Sequence, residues 1–208
     1  MIDYIKRVIR SIIRVLARML DTTSKSKITP NGITLFGVAM HIPIALLIAT
    51  RTNIWAALLL LLFGLFDTLD GELARLQHRE SPQGRLLDSV TDRIKEVLLY
   101  TGVAYAIIAT GRPYLAVWAV VACGCSLLTS YVNAAGDSIM AGKETKQHAA
   151  NKTFRGGLLP FEIRMFILLI GLVINQVPLA VIVITFGAGF TAMSRLLRVF
   201  NKVAEVRG

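Results

Sequence analysis

Residues 52–111 read TNIWAALLLLLFGLFDTLDGELARLQHRESPQGRLLDSVTDRIKEVLLYTGVAYAIIATG, and this stretch decides the fold. It begins and ends on charge-free apolar runs, Thr52–Phe66 and Val97–Gly111, each of 15 residues. Between them stand four aspartates, Asp67, Asp70, Asp88 and Asp92, with Pro82 and Gly84 marking a turn in the middle. Asp67 and Asp70 are three apart and Asp88 and Asp92 four apart, so each pair shares one face of a helix. Fifteen helical residues rise ~22 Å, less than the ~30 Å of bilayer hydrocarbon. The acids therefore sit at or just inside one edge of the hydrocarbon. The two helices run antiparallel, so both acidic pairs reach a similar depth and can face each other.

The rest of the chain has the same character. Of its 208 residues 54% are apolar and 17% charged, where a soluble domain carries about a quarter charged. Further charge-free runs cover Ile28–Thr50, Pro113–Gly136 and Met165–Ser194, the last interrupted at Asn175-Gln176-Val177-Pro178. These runs exclude a soluble enzyme, a disordered chain and a disulfide scaffold. A membrane barrel would alternate with a period of two instead. The expected fold is an all-α integral membrane protein. An N-terminal interfacial amphipathic helix precedes six transmembrane helices at about 33–49, 53–77, 85–110, 114–140, 159–174 and 178–200. Residues 1–27 form the juxtamembrane helix and linker, and residues 28–208 the six-span domain.

In Ile2–Leu20, Ile5, Val8, Ile9, Ile12, Ile13, Leu16, Met19 and Leu20 share one face, while Lys6, Arg7, Arg10, Arg14 and Arg18 occupy the rest. That pattern suits a helix lying in the headgroup plane. Its basic character along the whole length argues against a cleavable signal peptide. Cys123 and Cys125 lie inside an apolar run and read as small packing residues.

Formal net charge is +10. With six spans, 21 of the 23 Lys and Arg fall on one side, leaving only Arg51 and Arg112 on the other. Basic residues mark the cytoplasmic face, which places both termini and the acids towards the cytosol of a cell membrane. The basic groups are divided among short loops, a pattern that suits anionic lipid and not nucleic acid.

Four carboxylates converging in a low-dielectric site repel one another unless neutralised. Hard divalent cations with oxygen ligands are the natural solution, and Mg²⁺ combines a few carboxylates with substrate phosphates. Two such ions suit displacement at phosphorus. Gly71 and Ala74 follow on the same helix and open room beside the acids; a mid-helix glycine costs about 1 kcal/mol relative to alanine, which a close-approaching ligand explains. The plain alternative is a set of helix-end acids paired with Arg75, Arg85 and Arg93. Ionisable groups within the membrane are functional by default, however.

The pattern Asp67-x-x-Asp70-Gly71-x-x-Ala74-Arg75, eight residues, Gly84-x-x-x-Asp88-x-x-x-Asp92 resembles the complete motif of the CDP-alcohol phosphotransferases, matching all eight fixed positions. Thr29-Pro30-Asn31-Gly32-Ile33-Thr34 is similar to the Thr-Pro-Asn-x-x-Thr stretch before the first span in many members. The resemblance implies an enzyme of phospholipid biosynthesis. It would move a phosphatidyl-type group from a CDP-linked lipid, commonly CDP-diacylglycerol, to a small polar alcohol and release CMP. It implies two Mg²⁺ or Mn²⁺ ions on Asp67, Asp70, Asp88 and Asp92, with Asp92 also the catalytic base. It further implies a nucleotide site lined by Asn31, Thr34, Gly71, Ala74 and Arg75, and a homodimer.

The acceptor is left open between an inositol phosphate, a glycerol phosphate and a neutral alcohol. Members that use inositol phosphate carry a stretch similar to Ser-Tyr-x-Lys-Ala-Arg-Ala-Glu at the end of span four. This chain has Ser130-Tyr131-Val132-Asn133-Ala134-Ala135-Gly136-Asp137, with Asn133 and Ala135 in place of the two basic residues. That departure counts against inositol phosphate. Tyr131, Arg155 and Arg164 are the candidate acceptor ligands, the arginines because their planar fork suits phosphate. An ion- or proton-coupled transporter is the alternative class. It would need acids along a full path, whereas the far halves of the spans hold only His41, which reads as a core histidine.

Overall fold

The computed structural model describes residues 2–64, 66–141 and 159–205, and their regular structure is entirely helical. The helices are α1 (Ile2–Ser24), α2 (Pro30–Ala49), α3 (Asn53–Gly64), α4 (Phe66–Leu76), α5 (Pro82–Ile108), α6 (Ala116–Ala141), α7 (Phe161–Val173) and α8 (Val177–Glu205), with a single 3₁₀ turn, Pro113–Leu115, before α6. Among the described residues four segments are long and apolar enough to cross a membrane: Pro30–Ala49, Asn53–Leu76, Pro113–Ile139 and Val177–Val203. The helix α5 has the length, at 27 residues, but its first half carries Arg85, Asp88, Asp92, Arg93, Lys95 and Glu96. The helix α7 is apolar but has only 13 residues.

Two helices start earlier than their Pro- and Gly-containing sequences suggest. The expected first and third spans begin at 33 and 85, but α2 and α5 begin at Pro30 and Pro82. Both use the same four-residue device. In Thr29-Pro30-Asn31-Gly32 the Gly32 amide donates to Thr29 Oγ1 at 3.2 Å. In Ser81-Pro82-Gln83-Gly84 the Gly84 amide donates to Ser81 Oγ at 3.0 Å. Proline at the first helical position carries no N–H to leave unsatisfied, and the hydroxyl caps the next free amide.

The largest interfaces pair α6 with α8 and α2 with α5. Small residues permit both. Ala119 and Ala122 of α6 and Ala188 of α8 are fully buried, Thr129 Oγ1 of α6 donates to the Ala188 carbonyl at 3.3 Å, and a Cβ on Gly189 would lie 3.6 Å from Cys125 Sγ. Cys123 and Cys125 are free thiols in this packing. On α5, a Cβ at Gly102 would lie 2.4 Å from the Ala45 carbonyl oxygen of α2, so only glycine lets the two backbones approach this closely. His41 is buried and its Nδ1 lies 2.7 Å from the Gly37 carbonyl of its own helix, a core histidine.

The outward faces are apolar, with Leu46, Leu61, Val120, Phe186 and Phe190 all exposed. A soluble monomer would not leave so much apolar surface in water. The chain is a helical membrane protein. The helix α1 rests on α4 through a narrow seam of Ile13 and Ala17, which are buried, while Ile12, Val15, Leu16 and Met19 stay exposed.

Candidate active site

The paired caps bring the first turns of α2 and α5 side by side: a Cβ on Gly84 would meet Ser81 Oγ at 3.2 Å and Asn31 Oδ1 at 3.5 Å. The helix α4 packs against α2 alongside them. There Thr34 Oγ1 donates to Asp70 Oδ2 at 2.6 Å and also lies 3.1 Å from the Pro30 carbonyl. Asp70 is buried. A cavity of about 250 Å³ opens where the three helices meet. Asn31 and Thr34 line it from α2, Asp70, Gly71, Ala74 and Arg75 from α4, and Asp88 from α5, with Arg79, Glu80, Ser81 and Arg85 at its mouth. Two helix N-termini adjoin it, each favouring an anion. Three arginines and two aspartates share its walls. Such a surface suits a phosphate-rich ligand carried in with divalent cations.

The family model of CDP-alcohol phosphatidyltransferase matches residues 27–193. The chain belongs to the CDP-alcohol phosphatidyltransferase family. A phosphatidylinositol phosphate synthase of Corynebacterium glutamicum is 33% identical over 182 residues, covering 83% of this chain and 78% of that protein. Two structures of the Mycobacterium tuberculosis phosphatidylinositol phosphate synthase share the fold. The one with CDP-DAG bound has a TM-score of 0.77 at 23% identity, covering 91% of this chain and 94% of that one. The one in complex with manganese and citrate has a TM-score of 0.76 at 22% identity, covering 90% and 88%. As a family member this chain is a phosphotransferase of phospholipid biosynthesis. It passes a phosphatidyl-type group from a CDP-linked lipid to the hydroxyl of a second alcohol and releases CMP.

For a phosphatidyltransferase, the placement of the sequence-derived residues is informative. All five candidate nucleotide residues, Asn31, Thr34, Gly71, Ala74 and Arg75, line the one cavity together with Asp70 and Asp88. Asp67 lies on α4 one turn before Asp70, with its side chain outside the described residues. Among the described residues no three His, Cys, Asp or Glu side chains stand close enough to hold an ion. Asp67 would be the third carboxylate beside Asp70 and Asp88. An all-oxygen donor set of this kind fits a hard divalent cation.

Asp92 lies one turn beyond Asp88, off the cavity lining. Its Oδ1 accepts from Lys95 Nζ at 3.3 Å, and its Oδ2 is 3.7 Å from Arg93 Nη2. Around it is a second charged cluster that sequence reading did not assemble. Arg164 Nη2 donates to Glu96 Oε1 at 2.6 Å and its Nη1 to the Leu159 carbonyl at 2.9 Å. Arg93 reaches Ser130 Oγ on α6 and lies 3.7 Å from Glu96 Oε2. The Phe161 ring stacks under both guanidinium groups, at 5.7 Å from Arg93 and 6.0 Å from Arg164. Arg195 Nη1 donates to the Thr129 carbonyl, next to Ser130, at 3.1 Å. Buried Arg93 Nε and Arg164 Nε find no hydrogen-bond partner among the described residues.

Two of the three expected acceptor ligands fall among the described residues. Arg164 is fully buried against Glu96. Tyr131 is exposed on α6. Arg155, with Lys143, Lys146, His148 and Lys152, lies outside the described residues. Arg93 and Arg195 were the residues missed. Both sat among the charges that set topology, and the only available signal was their position on the same side as the acids.

Proposed function

We propose that the chain transfers the phosphatidyl group of CDP-diacylglycerol to an inositol phosphate. The observation that supports the donor most directly is the cavity that joins the cytidyl-lipid motif on α4 and α5 to the Thr29–Thr34 stretch on α2. The phosphatidylinositol phosphate synthases among its relatives support the acceptor, as does the excess of cations around Asp92. Arg93, Lys95, Arg164 and Arg195 gather there against Asp92, Glu96 and Glu162. Two buried guanidinium N–H groups without partners are donors in want of an acceptor, and a phosphate supplies it. The loss of basic residues at Asn133 and Ala135 is then offset by arginines from α5, α7 and α8.

In this reading Asp67, Asp70, Asp88 and Asp92 would hold two Mg²⁺ or Mn²⁺ ions, which when bound would screen the diphosphate and stabilise the leaving CMP. Asn31, Thr34, Gly71, Ala74 and Arg75 hold the nucleotide, and Arg79 and Arg85 face its phosphates. Asp92, steadied by Lys95, takes the proton of the acceptor hydroxyl. The acceptor oxygen bonds to the phosphorus that bears diacylglycerol, and the bridging P–O bond to CMP breaks. Arg195, Arg155 and Arg164 anchor the acceptor's phosphate, and Tyr131 lies near the acceptor's path. Arg195→Ala should raise the acceptor KM about tenfold to a hundredfold, the worth of one charged hydrogen bond, while the KM for CDP-diacylglycerol holds. The deciding assay is CMP release from CDP-diacylglycerol with inositol phosphate, glycerol phosphate, inositol and serine offered separately. Turnover on a neutral alcohol alone would replace the acceptor assigned here.

The same proposal has residues 28–208 crossing the membrane six times as a homodimer, with residues 1–27 forming the interfacial helix and its linker and α1 lying in the headgroup layer. The acids and both termini face the cytosol. Its support is the placement of 21 of 23 Lys and Arg on one side. A cysteine introduced at Thr145 should react with an impermeant thiol reagent only after the inner face is opened, and labelling in intact cells would invert the orientation.

A further inference from the structure

The end of the bundle opposite the acids holds a second cavity, of about 330 Å³. All three turns at that end contribute to it. Arg51 and Asn53 come from the α2–α3 turn, Thr110 and Arg112 from the α5–α6 connection, and Asn175 and Gln176 from the α7–α8 turn. Among the described residues, Arg51 and Arg112 are the only Lys or Arg that fall at this end, and they line the same cavity. None of the 13 Asp and Glu falls within 49–55, 107–116 or 173–180, so the turns that build the cavity bring two cations and no acid. Arg51 also has φ 61°. A helix-ending position of this backbone type favours glycine or asparagine, so an arginine here is kept for its side chain.

A second observation points to a ligand. Asn53 is buried, at 8% exposure. Its Nδ2 donates to Asn175 Oδ1 at 2.7 Å, while its own Oδ1 is buried with no partner among the described residues. The cavity thus offers two positive forks for an anion and one buried acceptor for a hydroxyl or amine. Ile54, Trp55, Ile108 and Tyr114, next in sequence to the lining, are exposed. Trp and Tyr beside an apolar surface mark the headgroup level of a bilayer, where acyl chains would continue from the cavity.

We propose that this cavity binds the phosphate diester of an anionic phospholipid whose headgroup carries a hydroxyl or amine. The phosphate lies between Arg51 and Arg112, and the headgroup donor reaches Asn53 Oδ1. The site is separate from the catalytic cavity and from the transfer reaction.

The test is binding by native mass spectrometry and thermal shift on the purified full chain in a neutral detergent. The probes are dioctanoyl phosphatidylglycerol, dioctanoyl phosphatidylmethanol and sn-glycerol 3-phosphate, each with wild type and with the double variant Arg51→Gln/Arg112→Gln. Phosphatidylglycerol should bind wild type saturably and lose tenfold or more in affinity per arginine replaced, while the variant keeps its rate of CMP release, which shows that it is folded. Phosphatidylmethanol, an anion without a headgroup donor, should bind several-fold more weakly than phosphatidylglycerol. Equal phosphatidylglycerol affinity in wild type and variant would overturn the site. Equal affinity for phosphatidylmethanol would overturn the role of Asn53. Glycerol 3-phosphate binding as tightly as the lipid would overturn the lipid as occupant.

Discussion

Asp88→Asn should leave the bundle folded and all but abolish CMP release. Asp88 lies at the start of α5 with its side chain exposed to the catalytic cavity, opposite buried Asp70. Asparagine has nearly the same shape, and the cap that starts this helix, Ser81 with the Gly84 amide, does not involve Asp88. The substitution therefore removes a charge from the cavity while leaving the cap that starts α5 in place. In the proposed mechanism, loss of that carboxylate would weaken the hold on a divalent cation, and the charge developing on the departing CMP would lose its partner. Loss of one charge-stabilising contact of this kind costs about 10²–10³ in rate, and loss of a shared metal should cost at least as much. CMP release by wild type and variant, with helical content and elution volume compared, checks the expectation. Wild type in excess chelator should fall to the level of the variant. Turnover in chelator equal to that with Mg²⁺ or Mn²⁺ would remove the metals from the mechanism.

How legible the site was depended on whether its parts are local in sequence. The acids were visible because carboxylates within apolar runs have few explanations, and their spacing of three and four gives a common face without knowledge of the tertiary fold. Asn31 and Thr34 came with the Thr-Pro-Asn stretch, Asn31 as the end of a linker and Thr34 just inside the first span. The structure puts both in the first two turns of α2, because a hydroxyl cap followed by proline starts a helix where proline and glycine otherwise read as a turn. The four long apolar helices were legible from hydropathy alone. The fifth long helix is not apolar enough in its charged half, so its path depends on what it packs against. Least legible was the cluster around Asp92. Glu96 and Arg164 are 68 residues apart, and nothing in either segment announces the other. Arg164 therefore read as a substrate ligand in a basic loop, and its ion pair with Glu96 of α5 had no sign in either segment. Arg195 read as a topology charge for the same reason: its neighbours come from α6, which is remote in sequence.

That hidden pair sets the largest expected effect on stability. Glu96 and Arg164 are 0% and 1% exposed and joined at 2.6 Å, so α5 and α7 are tied together by charges removed from both water and lipid headgroups. The pair need not be worth much in itself, since desolvation offsets most of its attraction. Removing one partner is different, because it leaves the other charge buried and unmatched, at a cost of about 3–5 kcal/mol. Glu96→Leu should therefore sharply lower the stability of the detergent-purified protein. The double variant Glu96→Leu/Arg164→Met, with the charge gone from both sides and similar volume retained, should recover most of the loss. The coupling read from that cycle separates a specific pair from simple damage to the core. Activity should part from stability. Arg93 stands 3.7 Å from both Asp92 and Glu96, so the double variant, even when folded, loses the acid that holds Arg93 in place beside Asp92, the proposed base. Its acceptor KM should rise while its KM for CDP-diacylglycerol stays near wild type. A Glu96→Leu variant as stable as wild type would show that the two charges are not buried together, and the arrangement of Arg93 and Arg164 about Phe161 would have to be given up with them.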